Sequence, residues 1–478
     1  MDEVIACFTV FSCGEARADA PQPPAARSRP RHTFASMLHG MSWRLVTVLT
    51  LLLVCGSAVA QPNGFSPAME AALSSTENGG LSRQFYQQRN GVLAWSGTAR
   101  ADARLAIAVM SNAASEGLDP ERYHSFVNSG NAVADDVAIS TAVLAYMHDL
   151  AVGRSDLRAL DTDVALLPRS LDTGSLLNDA LRQGRLAAML KSLAPQYADY
   201  AALKGALARN TMPAGVIAVN MERWRWLPPV LERDRIVINA ADAQLQLWLG
   251  GKTVLTSRVI VGRPPNRTPI MRAEGAGITV NPPWTVPQSI AIKEILPKLK
   301  ANRLYLASQD MVLLDGPAGD PHGLHVNWRA VRSGTFPYRI RQYPGPRNSL
   351  GRIKIELPNR FDVYLHDTPG KAAFTKANRA LSHGCVRVEQ ILPLASYALS
   401  GDLKTMKKIT QAIDAGKTQY LPLSRKLPVY FLYWTAFAGP DGALELRPDI
   451  YGRDQRLIAA MRTRPLQVAA NFAACAKG

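Results

Sequence analysis

Residues 244–261 read QLQLWLGGKTVLTSRVIV and indicate the fold of the larger part of this 478-residue chain. Three leucines in the first six positions alternate with less apolar residues, which is the two-residue period of a half-buried strand. Gly250 and Gly251 then turn the chain, and a second apolar run extends from Val254 to Val261. The pattern therefore predicts a β-hairpin.

A second pair of alternating runs, 352–357 and 361–365, is joined through Pro358 and Asn359. Between the two pairs lies a long stretch, about 289–348, that is rich in proline, glycine and basic residues. Insertions of this length in a compact domain are usually lids or binding loops. We therefore predict a mostly β domain over 213–460, with a capping insertion at about 289–348.

Helical spacing dominates the preceding part of the chain, residues 61–212. Apolar residues recur there at intervals of three and four, which predicts helices near 137–150, 176–193 and 197–208. No group of catalytic side chains assembles in this part. The predicted fold class is therefore multidomain α+β: an all-helical N-terminal domain, a mostly β domain, and a C-terminal tail at 461–478.

Residues 41–60 have the features of a secretory signal peptide. Arg44 precedes an apolar run, and the segment ends in the small residues Ala58-Val59-Ala60. Cleavage after Ala60 would export the mature protein, and we expect a periplasmic location. An uncleaved segment would instead be an inner-membrane anchor, although the run is shorter than the ~20 residues of a spanning helix. Residues 1–40 fit no targeting pattern and are predicted to be an overextended start.

The chain is strongly basic, with 55 Lys and Arg against 38 Asp and Glu, which gives a net charge of +17. Residues 1–60 contain five basic and four acidic residues, so their removal lowers the surplus only by one, to +16. Such a surplus favours an anionic partner: nucleic acid, anionic lipid or an acidic cell-wall polymer. Export argues against nucleic acid. A composition of 47% hydrophobic and 19% charged residues excludes a largely disordered chain.

Two short segments carry the candidate chemistry: YLHDTP at 364–369 and LSHGCVRV at 381–388. His366 ends an alternating run, and the loop before Cys385 can return to the same end of the sheet. A cysteine nucleophile needs a base or a cationic neighbourhood to form a thiolate. The neighbouring histidines and Arg387 supply both, with Lys371, Lys376 and Arg379 in the intervening loop, so we expect a lowered pKa for Cys385.

A buried structural cysteine and a zinc site are the alternatives to a nucleophile at this cluster. A lone cysteine is most often a buried apolar residue, although two histidines, an arginine and a glycine around one thiol favour a nucleophile. His366, His383 and Cys385 could also be three ligands of zinc, but such sites usually have tighter spacing. No metal and no cofactor is predicted. Once residues 1–60 are removed, Cys385 and Cys475 are the remaining cysteines, and they could form one disulfide.

The two segments resemble the signature of the L,D-transpeptidase catalytic domain, in which a histidine precedes an S-H-G-C-x-R motif. The resemblance extends to ERWRWLP at 222–228, VIVG at 259–262, NPPW at 281–284, RNSLG at 347–351 and YWTA at 433–436. The helical part is similar to the scaffold domain of the large periplasmic members of this family. These members usually carry a peptidoglycan-binding module between the two domains, and residues 208–215 leave no room for one.

The resemblance implies a peptidoglycan L,D-transpeptidase. Cys385 would attack the carbonyl between meso-diaminopimelate and the terminal D-Ala of a tetrapeptide stem and release D-Ala. The acyl group would pass from the thioester to the side-chain amine of a second stem, which gives a 3→3 cross-link. The implied partners are the tetrapeptide donor, the diaminopimelate acceptor and cell-wall synthases, and no nucleic acid.

The resemblance also implies a role for each residue of the site. His366 would be the general base and then the general acid, with its ring oriented by an acceptor at Asp367. The oxyanion would be held by the N–H of Cys385, with Gly384 and the Tyr364 hydroxyl. The remaining pocket residues are Ser382, His383 and Arg387. Arg387 would pair with a diaminopimelate carboxylate or, equally, with Glu389.

Two rival functions use the same fold. An L,D-carboxypeptidase or an enzyme that exchanges D-amino acids would keep Cys385 and His366 and change only the acceptor. A non-catalytic wall-binding protein would retain the fold without the chemistry, and the intact Cys, His, Gly and Arg set argues against it. The sequence does not separate the first rival from the transpeptidase.

Overall fold

The computed structural model describes residues 64–76, 79–123, 129–156, 160–167, 169–439 and 441–463. The predicted overextended start 1–40, the predicted signal peptide 41–60 and Cys475 lie outside these residues. Across the described ranges, no helix has both the length and the apolar character needed to cross a bilayer.

The N-terminal part of the described chain is helical, as predicted. Its α-helices are Pro67–Ser74, Gly79–Gln88, Arg100–Ser111, Ala132–Ala151, Thr173–Arg182, Leu186–Leu193 and Ala198–Arg209. Asn131 begins the longest helix by accepting hydrogen bonds from the N–H groups of Val133 and Ala134. The predicted helix at 176–193 is two helices, because Gly184 adopts a left-handed φ of 60° between them.

The C-terminal part is built on β-strands. They are β1 Val164–Ala165, β2 Arg235–Asn239, β3 Gln244–Leu249, β4 Lys252–Gly262, β5 Ile270–Val280, β6 Trp284–Thr285, β7 Met311–Leu313, β8 Ile340–Gln342, β9 Ile353–Glu356, β10 Leu365–His366, β11 Ala380–Ser382, β12 Val386–Val388, β13 Gln419–Leu432, β14 Ala436–Ala438 and β15 Leu444–Leu446. The predicted hairpin is β3 and β4, which pair antiparallel. The second predicted pair is β9 and β10.

The main sheet closes on itself. Its strands follow the order β1-β5-β13-β2-β3-β4-β12-β10-β9, and β9 also pairs with β5, so the strands from β5 to β9 form a ring. The alternating apolar residues fill the interior: Leu245, Leu247 and Ile355 are fully buried. The helices Ile391–Ser400, Met406–Asp414 and Arg453–Thr463 complete this part of the chain.

The helical and β parts share a buried boundary. Strand β1 lies within the N-terminal part, between helices Ala132–Ala151 and Thr173–Arg182, and pairs in parallel with β5, so this part is not entirely helical. Helix Ala214–Arg225 connects the two parts, and seven of its last eight residues are less than 5% exposed. Within it, Trp224 stacks on Trp434 with ring centroids 4.2 Å apart. Helix Ala198–Arg209 and strand β1 therefore share the apolar core of the β part, while the helices before residue 194 pack around a core of their own.

Residues 284–342, which we call the cap, lie in the sequence between β5 and β9 and have a core of their own. They contain a three-stranded sheet in the order β6-β8-β7, a helical run from Gln288 to Ala301, and a short helix Tyr305–Ser308. The helical run includes a π-helical segment, Ala291–Ile295. Its apolar side chains pack around Leu296, Trp328 and Ile340.

Candidate active site

Strand register places the predicted site residues on one face of the sheet. Strands β10 and β12 are parallel, with Leu365 opposite Val386 and His366 opposite Arg387. The N–H of Val386 also donates to the carbonyl of Tyr364. Side chains of paired residues in neighbouring strands point the same way, and successive residues alternate. Tyr364, His366, Cys385 and Arg387 therefore share a face, while Leu365 and Val386 enter the core.

Cys385 is held mainly by the neighbouring strand. Its thiol donates to the carbonyl of Asp362 over 3.6 Å. The hydroxyl and the backbone of Tyr364 also hydrogen-bond to the sulfur. Within the part of the chain that the structure describes, no hydrogen bond joins Sγ to the ring of His366. The resting thiol is thus turned toward the start of β10.

The expected lowering of the Cys385 pKa is wrong for this resting state. Burial raises the pKa of the thiol, and the hydrogen bonds from Tyr364 and the charges of Lys354 and Arg387 only partly offset this. Lys371 and Arg379 of the loop between His366 and Cys385 do not lower the pKa of the thiol, because their side chains bind other groups. Lys371 pairs with the Asp367 carboxylate, and Arg379 donates to the carbonyl of Asp242.

His366 is buried, and its ring is oriented by a backbone carbonyl. Its Nδ1 lies 2.5 Å from the carbonyl oxygen of Asp367. Since a carbonyl only accepts, we assign the proton of the neutral ring to Nδ1, and the backbone of Leu350 also hydrogen-bonds to the ring. Burial, with the charge of Arg387, lowers the pKa of His366 to about 3, so the ring is neutral. The acceptor expected at Asp367 is its main chain, while its carboxylate accepts from the N–H of Arg352.

The loop before Cys385 is anchored from both sides. Ser382 Oγ donates to the carbonyl of Cys385 over 2.6 Å and accepts from the N–H of Gly384 over 3.1 Å. The Gly384 N–H is therefore occupied and not free for a substrate oxygen, contrary to the expectation for it. The N–H of Cys385 itself has no partner among the described residues. Gly384 has a φ of 114°, a conformation that favours glycine.

Thr268 supports this loop through its hydroxyl, a role that was not predicted from the sequence. Its buried hydroxyl donates to the carbonyl of Gly384 over 2.8 Å and accepts from the N–H of Gly262 over 2.9 Å. A Cβ on Gly262 would lie 2.1 Å from the carbonyl oxygen of Asn266, so only glycine allows this close turn. The sequence feature that could have identified Thr268 is its position before a proline, shortly after the VIVG segment.

Arg387 lies beside the thiol without an acidic partner in the described residues. The alternative pairing with Glu389 is excluded, because that carboxylate binds Arg258 through two hydrogen bonds of 2.6 and 2.8 Å. Arg387 Nε is buried without a hydrogen-bond partner. Burial lowers the pKa of Arg387, while the nearby Cys385 and Glu294 raise it. A half-buried cation with free donors is suited to an anionic ligand.

His383 faces the cap rather than the thiol. Its Nε2 lies 2.5 Å from Glu294 in the π-helical segment and 2.7 Å from the guanidinium of Arg263. Arg263 also binds Glu294 directly over 3.0 Å. The three side chains therefore join the cap to the base of the catalytic loop. In the described part of the chain, no group of three or more His, Cys, Asp or Glu side chains is placed to hold a metal ion.

The same face of the sheet continues past Tyr364 onto β9 and β5. Lys354 Nζ lies 4.3 Å from the centre of the Tyr364 ring and 2.7 Å from Glu356 Oε2. Glu356 Oε1 in turn accepts from Thr279 over 2.6 Å. Trp284 of the cap donates to the Tyr364 hydroxyl. The outward positions of β9 were visible in the alternating sequence, but their proximity to Cys385 depends on strand pairing.

Comparison with known protein families finds two matches on this chain. Residues 81–207 match the scaffold domain, and residues 233–409 match the L,D-transpeptidase catalytic domain. The second range contains every predicted site residue. The two domains occur in the order expected from the sequence.

A Haemophilus influenzae protein named "Putative L,D-transpeptidase" is 35% identical to this chain over 241 residues. The match covers 50% of this chain and 48% of that protein, so the chain spans about half the length of this curated relative. A solved structure, described as the Ldtfm-avibactam carbamoyl enzyme, is 11% identical and covers 43% of this chain and 50% of its own, with a TM-score of 0.22. A likeness this low bears on neither fold nor function. The chain therefore carries a scaffold domain at 81–207 followed by an L,D-transpeptidase catalytic domain at 233–409.

Proposed function

We propose that this protein is a peptidoglycan L,D-transpeptidase that acts through a thioester on Cys385 and forms 3→3 cross-links between stem peptides. The observation that carries the proposal is the shared face of β10 and β12, where a thiol, a neutral imidazole and an unpaired guanidinium lie together beneath the cap. This is the set that acyl transfer requires: a nucleophile, a base and a group that binds an anionic substrate.

The first step transfers the donor acyl group to sulfur. Cys385 Sγ leaves the Asp362 carbonyl, turns toward His366 Nε2 and attacks the carbonyl of the diaminopimelate–D-Ala bond. The thiol proton passes to Nε2, and the carbonyl becomes an oxyanion. When the C–N bond breaks, His366 returns that proton to the departing amine, and D-Ala leaves. Catalytic hydrogen bonds often form only with substrate bound, so the resting rotamer of Cys385 is compatible with this step.

The second step returns the enzyme to its starting state. The side-chain amine of a second stem attacks the thioester carbonyl and gives its proton to His366 Nε2. The C–S bond breaks, an amide bond forms, and Cys385 regains a proton from the imidazolium. The Asp367 carbonyl holds Nδ1–H throughout, which keeps Nε2 available for both transfers.

Two donors are available for the oxyanion. The Cys385 N–H is unpaired among the described residues, and the Tyr364 hydroxyl already lies at the sulfur. The Gly384 carbonyl and N–H are both used within the fold, so this residue contributes its backbone conformation rather than a hydrogen bond. Fixed donors of this kind stabilise the charge that develops in the transition state.

The cap and Arg387 account for the acceptor and the substrate. Transfer to an amine rather than to water requires a site that excludes water, and the cap contacts the site through Trp284 and through Glu294. Stem peptides carry carboxylates, and Arg387 is the unpaired cation next to the thiol. We assign Arg387 to a diaminopimelate carboxylate of the second stem.

A periplasmic location and contact with cell-wall synthases are part of the same proposal, and they rest on the signal-peptide pattern at 41–60. The basic surplus would hold the enzyme on the acidic wall polymer. Binding to purified sacculi should therefore weaken as salt rises from about 0.05 to about 0.5 M, roughly across the range in which the Debye length falls below 10 Å. Salt-insensitive binding would contradict this role for the charge.

The nucleophile is tested by mass spectrometry. Incubation with a carbapenem should add one inhibitor mass to the intact protein, because the thiol opens the strained ring and stays acylated. The Cys385→Ala variant should stay unmodified, and Ser382→Ala, which retains the thiol, should still react. Wild-type protein without an adduct would overturn the thioester proposal.

The acceptor is tested with sacculi. Digestion after incubation with the enzyme should show 3→3 dimers that depend on Cys385. Tripeptides without dimers would assign a carboxypeptidase, and stems ending in an added D-amino acid would assign an exchange enzyme. Binding to sacculi without any change in the stems would assign a non-catalytic wall-binding protein.

A further inference from the structure

We infer that Lys354 and Glu356 form the subsite that binds the zwitterionic amino-acid group at the end of the donor's diaminopimelate side chain. The inference rests on the proposed function, and it assigns a substrate group to two residues outside the catalytic set. Lys354 Nζ and Glu356 Oε2 are 2.7 Å apart, and their side chains are 21% and 29% exposed.

The pair belongs to the face that carries the nucleophile. In the antiparallel register of β9 and β10, Lys354 lies opposite His366, so both side chains point to the same side of the sheet. Lys354 Nζ also sits over the ring of Tyr364, whose hydroxyl bonds to Cys385 Sγ. The floor of the site therefore runs without interruption from the thiol to the ion pair.

The charges match an amino-acid group. A free α-amino acid carries an ammonium and a carboxylate roughly 3 Å apart, by standard bond lengths. Its carboxylate would bind the Lys354 ammonium, and its ammonium would bind the Glu356 carboxylate. Each of the four charged groups would then have neighbours of opposite sign. Thr279 fixes the carboxylate of Glu356 from the far side through a 2.6 Å hydrogen bond, which leaves the exposed side of the pair for the ligand.

The distance matches the donor rather than the acceptor. Lys354 Nζ lies 4.3 Å from the centre of the Tyr364 ring. Adding the length from the ring centre to the hydroxyl oxygen and the hydrogen bond from that oxygen to Sγ puts Nζ at most about 11 Å from the sulfur. In a bound donor, the far amino-acid group of diaminopimelate reaches roughly 7 to 8 Å from the acyl carbon. An attacking acceptor amine must instead come within roughly 3.5 Å of that carbon with its lone pair free, and an ammonium paired with Glu356 has no free lone pair.

Calorimetry on the full-length Cys385→Ala protein tests the subsite without turnover. The probes are the tetrapeptide L-Ala-γ-D-Glu-meso-diaminopimelate-D-Ala, its amide at the far carboxyl group, and an analogue that lacks the far amine. We expect each loss to weaken binding about tenfold, which is the effect of one half-exposed charge-assisted hydrogen bond. Adding Lys354→Met should abolish the preference for the tetrapeptide over its amide. Adding Glu356→Gln should abolish the preference for the tetrapeptide over the analogue that lacks the far amine.

The matched control is Lys426→Met, which removes the cation of another ion pair on the same sheet, Lys426–Glu274. It should leave both preferences unchanged. If Lys354→Met keeps the roughly tenfold preference for the free carboxylate, the inference is overturned, whatever the variant does to stability. Release of D-Ala from the tetrapeptide by wild-type protein is scored separately. Its absence would refute the proposed function, while the binding preferences would still decide the subsite.

Discussion

Thr268→Val should release the loop that carries Cys385, because one buried hydroxyl serves two backbone groups. Valine has nearly the same volume as threonine and lacks only the hydroxyl. The substitution therefore leaves the N–H of Gly262 and the carbonyl of Gly384 without partners, and both groups are buried. No cavity is created, so the effect isolates the hydrogen bonds.

The magnitude follows from the cost of unpaired buried groups. Each unsatisfied donor or acceptor costs about 1–3 kcal/mol, so two of them should destabilise the catalytic domain by about 3 kcal/mol. For a domain of this size, that corresponds to a fall in Tm of roughly 6–12 °C. The acylation rate with a carbapenem should fall about tenfold, because the Cys385 N–H, one of the oxyanion donors, moves with the Gly384 carbonyl.

Thermal unfolding and the rate of adduct formation are the two measurements. Thr268→Ser keeps the hydroxyl and should remain within about 1 kcal/mol of wild type in stability, with nearly the same acylation rate. If Thr268→Val unfolds and reacts like wild type, the hydroxyl does not support the loop.

Three further predictions address charge and burial. The pKa of His366 is about 3 in the folded protein and 6.5 in the unfolded chain, so between pH 7 and 4 only the unfolded chain binds this proton. In urea unfolding, the free energy of unfolding of wild type should therefore fall by about 3 kcal/mol more over this range than that of His366→Gln. Equal losses in the two proteins would disprove this prediction. Because burial raises the Cys385 pKa, the rate of its alkylation by iodoacetamide should still be rising at about pH 9, whereas a plateau with a midpoint below about pH 7 would show a resting thiolate. Glu294→Gln should speed hydrogen exchange in residues 291–299 with little change in Tm, since the ion pairs of Glu294 are partly exposed. Asp315→Asn, which removes another ion pair of the cap, should leave this exchange unchanged. Equal exchange in both variants would show that the contacts of Glu294 with Arg263 and His383 do not hold the cap.

Local patterning was sufficient to predict β3, β4, β9 and β10 and the helical character of most of the N-terminal part. Apolar and polar residues alternate in β3 and β9. Because successive side chains of a strand point to opposite faces of the sheet, this alternation predicts which of them are buried. The helix at 132–151 was likewise apparent from its apolar spacing. The break at Gly184 was missed, since flanking residues on both sides have good helical spacing and only the left-handed turn separates them.

The site was predicted in its residues but not in its electrostatics. The motif identified Cys385 and His366, and proximity in sequence suggested that Lys371 and Arg379 would activate the thiol. Both bind other partners, while Lys354 reaches the site from a strand that is distant in sequence. Burial, which dominates the pKa of both catalytic groups, depends on the closed sheet and cannot be read from a motif.

The resting state has a consequence for how the proposed reaction begins. A proton cannot pass readily from a thiol whose pKa is raised to an imidazole whose pKa is about 3. Burial is the largest cause of the low value, and the next is the positive charge of Arg387, which lies next to His366 in the register and has no acidic partner in the described residues. A substrate carboxylate on Arg387 would neutralise that charge and raise the pKa of His366, while the contribution of burial would remain. A bound stem would then add to the basicity that the reaction needs, and the empty enzyme would keep its thiol protonated.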